Sequence, residues 1–179
     1  LFRSMTSLDI HFLHGFGMVG QHSENITMDD VDFEAPKESG RTTARYADFV
    51  QMSGCKGTIN ISNCTFAGPH DDPINIHGTF NTVTAISSDR RTITVQYNHN
   101  ETAGFPNFFE GDEIEFMTKG NMITVEDSVR TVTKVDGPDG MGGNMGDGSG
   151  SLTTIKLTLN EAVPSDVQVN QHVVENITY

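Results

Sequence analysis

The chain has 179 residues, with 24 acidic against 11 basic side chains and a formal net charge of −13. That balance argues against nucleic acid as a partner, because phosphate binding needs clustered Lys and Arg, and against an anionic membrane surface. No apolar run is long enough for a membrane-spanning helix, whereas neutral glycans are compatible with the charge.

The chain opens at Leu1 in what reads as mid-fold sequence, without a visible secretory signal, and is expected to be an excised fragment. Phe16-Gly17-Met18-Val19 is a short apolar piece. It precedes Glu24-Asn25-Ile26-Thr27-Met28-Asp29-Asp30-Val31-Asp32-Phe33, whose alternation predicts a strand. Phe49-Val50-Gln51-Met52 then precedes Gly57 to Phe66, and both long runs read Ile-x-(Ile/Met)-x-x-(Val/Cys)-x-Phe. Short strands recurring at a long period mark a solenoid, in which each coil buries its inward residues only against its neighbours. Residues 1–79 are therefore expected to form coils of a right-handed parallel β-helix. Cys55 and Cys64 make no disulfide framework and read as small apolar residues on one sheet face.

From Phe80 the pattern changes. Thr82–Ile86, Thr92–Tyr97, Glu113–Phe116, Val129–Val135 and Thr153–Leu159 fit short strands separated by turn residues. They predict an inserted small antiparallel β-barrel or sandwich over residues 80–171, in a chain that is all-β. The stretch 136–151, rich in Gly, Asp and Met, matches no calcium-loop spacing and is expected to be a mobile hairpin loop. His172-Val173-Val174-Glu175-Asn176-Ile177-Thr178-Tyr179 repeats the Glu-Asn-Ile-Thr of residues 24–27. On that basis 172–179 is expected to return to the β-helix.

The chemistry gathers in His70-Asp71-Asp72-Pro73-Ile74-Asn75-Ile76-His77-Gly78. Two adjacent carboxylates stand just past a strand end, and Asp48 precedes the strand of an adjacent coil, about 4.8 Å away in a stacked sheet. Neighbouring carboxylates separate an acid from a base, as sugar hydrolysis requires. Asn75 and His77 follow on the same strand, and Arg45 and Tyr46 flank Asp48; these four are the candidates for substrate binding. His70 reads as a loop residue. Asp29, Asp30 and Asp32 read as solvent-facing strand positions. His11 and His14 lack further ligands at a set spacing, so no metal is expected there.

Asp48-Phe49-Val50-Gln51-Met52-Ser53-Gly54-Cys55-Lys56-Gly57, followed by Asn63-Cys64-Thr65-Phe66 and Asp71-Asp72-Pro73-Ile74-Asn75-Ile76-His77-Gly78, resembles glycoside hydrolase family 110. The resemblance covers residues 44–80 well and the following barrel more loosely. It implies a bacterial exo-acting α-1,3-galactosidase built as a β-helix with β-barrel insertions. Some members act on the blood group B antigen and others on linear α-1,3-galactosides. It also implies an inverting mechanism, with catalytic aspartates matching Asp48, Asp71 and Asp72, and a periplasmic or extracellular location. The implied partner is a glycan, with no nucleic acid, membrane, metal or cofactor. Inversion needs an acid and a base roughly 6.5–9.5 Å apart, and the three aspartates share these roles between them.

Two other classes fit the same residues. A polygalacturonase-like hydrolase or a lyase would share the fold, but anionic polymers call for a basic cleft and this chain has 11 Lys and Arg in all. A non-catalytic β-helix that binds glycans would leave Asp71 and Asp72 dispensable. A segment with so few coils is expected to have open edges, to self-associate, and to show little activity alone.

Overall fold

In a computed structural model, which describes residues 3–99, 106–138 and 154–179, the repeat of residues 24–33 and 57–66 becomes a stack of parallel strands. The first of two compact units, Leu1–Gly78 with Tyr179, contains β1 (Arg3–Ile10), β2 (Met18–Gln21), β3 (Glu24–Phe33), β4 (Val50–Ser53), β5 (Lys56–Ser62), β6 (Thr65–Phe66) and β7 (Ile74–His77). They form two parallel sheets. One runs β1-β3-β5, with β6 also on β3; the other runs β2-β4-β7.

The register follows the repeat: Ile26 opposes Ile59, Met28 opposes Ile61, and Phe33 opposes Phe66. Apolar residues stack on apolar residues because the alternation of each strand points the same side chains inward. Gly57 and Thr58 together stand against Asn25 at the shift between the Glu24–Lys56 and Ile26–Ile59 pairs, and Gly57 takes the bend. Its φ is +74°, and a Cβ there would overlap Asn25 Oδ1, so the position requires glycine. Ser7, Asp30 and Asn63 sit opposite one another at φ 53°, 57° and 54°. A left-handed residue therefore recurs at the same corner of three stacked segments, filled in two of them by Asp and Asn, which tolerate it.

Both sheets feed one core: Ile26, Met28, Val31 and Phe33 from β3, Phe49 ahead of β4, and Val50 and Met52 within it. Phe33 stacks on Phe66 with ring centroids 5.4 Å apart and on Phe49 at 5.3 Å. Cys55 and Cys64 are free thiols, half-buried and packed against this core.

The second unit spans Thr79–Thr178. It contains β8 (Phe80–Ile86), β9 (Thr92–Tyr97), β10 (Glu113–Thr118), β11 (Arg130–Asp136), β12 (Thr154–Leu159) and β13 (His172–Asn176). These close a six-stranded antiparallel barrel in the order β10-β11-β12-β9-β8-β13. The inward residues Val83, Val95, Tyr97, Ile114, Phe116 and Leu157 fill its interior. The hairpin loop expected over 136–151 lies mostly outside the described residues.

One expectation is corrected. Residues 172–176 do not rejoin the parallel stack; β13 pairs with β8 and β10 and closes the barrel. Closure removes both edges of the sheet, and Val173, Val174 and Asn176 are buried by it. Only Tyr179 belongs with the first unit, where it stands edge-on to His22 with Lys56 Nζ 4.4 Å from its ring.

Candidate functional site

Strands β4 and β7 lie side by side, with Val50 opposite Ile74, Gln51 opposite Asn75, Met52 opposite Ile76 and Ser53 opposite His77. The pairing continues upstream. The Phe49 amide donates to the Asp72 carbonyl at 3.0 Å and the Val50 amide to the Pro73 carbonyl at 3.2 Å. These bonds bring Asp48 beside Asp71 and Asp72 at one end of the sheet. One carboxylate oxygen from each of the three lies within 4.8 Å of the others.

Their surroundings differ. Asp48 is buried, at 5% exposure, whereas Asp71 and Asp72 are exposed. Asn75 Nδ2 donates to Asp48 Oδ2 at 3.1 Å. Asp71 Oδ1 accepts from the Asp72 amide at 3.1 Å. Carboxylate oxygens alone have the hardness that a divalent cation such as calcium prefers. Among the described residues no other group of three such side chains converges.

The candidate binding residues fall into different positions. Tyr46 is 77% exposed and meets His70 edge-on, with centroids 6.4 Å apart. Both line a cavity of about 390 Å³ with His14, Arg41 and Thr43. The three aspartates are not in its lining, although Asp48 and Asp71 follow Tyr46 and His70 closely in the chain. His77 has both ring nitrogens engaged. Nδ1 lies 2.7 Å from the Gly78 carbonyl, which can only accept, so Nδ1 carries the proton and Nε2 accepts from Gln51 Nε2 at 3.4 Å. Arg45, expected at the sugar, lines the same cavity but is 2% exposed, with its guanidinium 4.3 Å from the Phe49 ring and 5.1 Å from the Phe33 ring. Burial lowers its pKa to about 10, with the Asp48 charge acting in the opposite direction.

Gln51 was not among the expected residues. It is a polar residue, 8% exposed, on a strand whose other positions read as core. A lone Gln in Phe49-Val50-Gln51-Met52 was the available signal, since buried amides are held by partners. The acidic run of β3 proves structural rather than merely solvated. Asp29 Oδ1 accepts from Ser62 Oγ at 2.8 Å and Asn63 Nδ2 at 2.7 Å, Asp32 Oδ1 from the Thr65 amide at 2.9 Å, and Asp30 Oδ2 from Ser7 Oγ at 2.8 Å. These side chains tie each strand to the next. His11 pairs through Nδ1 with the Glu34 carbonyl at 2.8 Å.

Comparison with known proteins points the same way as the motifs. Residues 92–139 match the family described as GLAA-B beta-barrel domain II. Alpha-1,3-galactosidase A of Streptomyces avermitilis is 49% identical over 175 residues, covering 98% of this chain and 27% of that protein. The protein of the same name from Peterkaempfera griseoplana is 45% identical, covering 96% of this chain and 24% of its own length. That of Bacteroides thetaiotaomicron is 39% identical, covering 98% and 28%. The chain thus spans about a quarter of the length of the curated relatives it matches. Over nearly its whole sequence it belongs to the family of these alpha-1,3-galactosidases.

Proposed function

We propose that this chain carries the catalytic face of an exo-acting glycosidase that hydrolyses terminal α-1,3-linked galactose. The observation that carries the reading is the convergence of Asp48, Asp71 and Asp72 within 4.8 Å, in a chain whose relatives are named alpha-1,3-galactosidase. In this reading the two parallel sheets are faces of a right-handed parallel β-helix that continues in the longer protein. The substrate is a neutral glycan, branched as in blood group B or linear, met in the periplasm or outside the cell. No metal or cofactor takes part, and the isolated segment has little activity.

The chemistry divides among the three carboxyls. One, protonated, gives its proton to the leaving glycosidic oxygen. Another, ionised, takes a proton from the water that attacks the anomeric carbon from the opposite face, so that β-galactose forms first. The family resemblance favours this inverting course.

One assay tests the proposal. The full-length protein is given branched and linear α-1,3-galactosides, and the first product is followed by proton NMR. β-Galactose supports inversion, α-galactose assigns retention, and no galactose release from either substrate rejects the glycosidase reading.

A further inference from the structure

Arg45 is the least ordinary charged side chain in the first unit. It is 2% exposed. Among the described residues its Nε, Nη1 and Nη2 atoms have no hydrogen-bond partner. A guanidinium carries five donors and is normally placed where carboxylates or carbonyls meet them. Leaving all of them unmet in a core is costly, and burying an unpaired charge costs more.

The chain nevertheless makes room for it. The guanidinium lies against the Phe49 and Phe33 rings, a contact that offsets part of the lost hydration. It occupies the space that a side chain at position 17 would fill, since a Cβ on Gly17 would overlap Arg45 Nη1 and the Phe49 carbonyl. Packing alone does not call for a cation here, because a methionine would fill the same slot against two aromatic rings without the desolvation.

The charge has a destination. Asp48 is three residues away and buried at 5% exposure, and its carbonyl accepts at 3.0 Å from the amide of Gly17, the residue whose Cβ position the Arg45 guanidinium occupies. Asp71 and Asp72 face Asp48 from the segment ahead of β7, and both add negative charge. Asn75 supplies a neutral donor from β7 itself. His14, Arg41 and His70 share a cavity wall with Arg45. Within the core, Arg45 is thus the cation available to balance a carboxylate that is itself removed from water. In such surroundings the attraction is felt over a longer range than at a wet surface.

We propose that Arg45 is a positioning residue, a buried cation at the cavity wall whose charge keeps Asp48 in place among three mutually repelling carboxylates, rather than a residue that touches the sugar. This rests on the reading of the three aspartates as the reacting groups, and it has a consequence that does not depend on activity. In the full-length protein, Asp48→Asn should leave Arg45 as an uncompensated buried charge and lower the melting temperature. Adding Arg45→Met to Asp48→Asn should recover much of that loss. Additive effects of the two substitutions would overturn the proposal whether or not galactose is released.

Activity supplies the second readout. Arg45→Lys keeps a charge and packs poorly, whereas Arg45→Met packs well and keeps none. If charge is what matters, the lysine variant retains kcat within about tenfold, and the methionine variant loses on the order of a hundredfold with KM little changed. A methionine variant as active as the lysine variant, or more so, overturns the proposal and returns Arg45 to a packing role. Loss of galactose release in the unsubstituted protein would instead reject the glycosidase reading, and the thermal cycle would still decide the coupling.

Discussion

Asn75 Nδ2 donates to Asp48 Oδ2 at 3.1 Å, joining the strand that follows the paired aspartates to the carboxylate that precedes its neighbour. Asp48 belongs to the segment ahead of β4 and Asn75 to β7, so the bond fixes one carboxylate of the cluster relative to the other two. A hydrogen bond to a charged group contributes about 1.5–3 kcal/mol. Asn75→Ala in the full-length protein is therefore expected to lower kcat/KM on an α-1,3-galactoside by roughly ten- to a hundredfold. Asn75→Asp, which adds a fourth carboxylate, should cost more. Unchanged kinetics in the alanine variant would remove Asn75 from the site.

Asp71→Asn and Asp72→Asn test the cluster itself. General acid–base catalysis contributes on the order of 10²–10⁴-fold per group, so each variant should lose at least about a hundredfold in kcat. Both side chains are exposed, and the melting temperature should barely move. Near-full rates in both variants would dismiss the catalytic assignment. Loss of folding in either would show that the pair caps a turn.

Much of the barrel was legible in the sequence. Thr92–Tyr97 is a strand with the predicted ends, because β-branched alternation there is bounded by a turn in which Asp89 accepts from Ser87 Oγ and the Arg91 amide. The stacking of Ile26 on Ile59 and Phe33 on Phe66 was equally readable, since the repeat dictates the register. β1 (Arg3–Ile10) was not read, because its Ser and Thr positions give no clear alternation and most of it is exposed. The second Glu-Asn-Ile-Thr misled for a physical reason. Asn25 takes a left-handed φ of 55° and its Oδ1 accepts from the Thr58 amide, whereas Asn176 is buried in the barrel and donates to Asp112 Oδ2 and the Asn107 carbonyl. Four identical residues thus adopt different conformations because their partners differ. The burial of Arg45 was likewise illegible, since it depends on two phenylalanines and on a glycine 28 positions earlier in the chain.

Gly17→Ala probes that cradle from the other side. The added methyl would meet the Arg45 guanidinium and the Phe49 carbonyl, so either the arginine or the backbone must move. Overpacking of this kind typically costs about 1–3 kcal/mol. The melting temperature should fall, and kcat in the full-length protein should fall with it as Asp48 loses its counter-charge. A variant as stable as the parent would mean that Arg45 has other room to occupy.

Glu175 and Glu115 stand directly opposite each other on β13 and β10. Burial, and then the neighbouring Glu115 charge, raises the Glu175 carboxyl above its ordinary value. An acid whose folded-state pKa is raised binds its proton more tightly in the fold. Its stabilising contribution is complete below the unfolded value of about 4.3 and is lost as pH rises through the raised value. Near neutral pH the pair therefore opposes folding, by roughly 0.2–1 kcal/mol for like charges across strands. Glu175→Gln should raise the melting temperature at pH 7 by a few degrees, about what such an energy implies for a unit of this size, and the gain should vanish near pH 4. Thermal melts of both proteins across that range provide the check, and a gain independent of pH would exclude charge repulsion as the cause.

Ile74 and Ile76 are 40% and 55% exposed, although their register partners Val50 and Met52 are fully buried. They lie on β7, the edge of its sheet, where unpaired backbone groups and apolar side chains together offer a template for another strand. The isolated 179-residue chain is therefore expected to self-associate with rising concentration. Ile76→Lys places a charge on that edge, which is how natural sheets discourage such pairing. Light scattering should show a concentration-dependent mass for the parent chain and a smaller one for the variant. A parent chain that stays monodisperse and monomeric at high concentration would show that the open edge is tolerated in water, and a lysine variant that associates equally well would place the contact elsewhere.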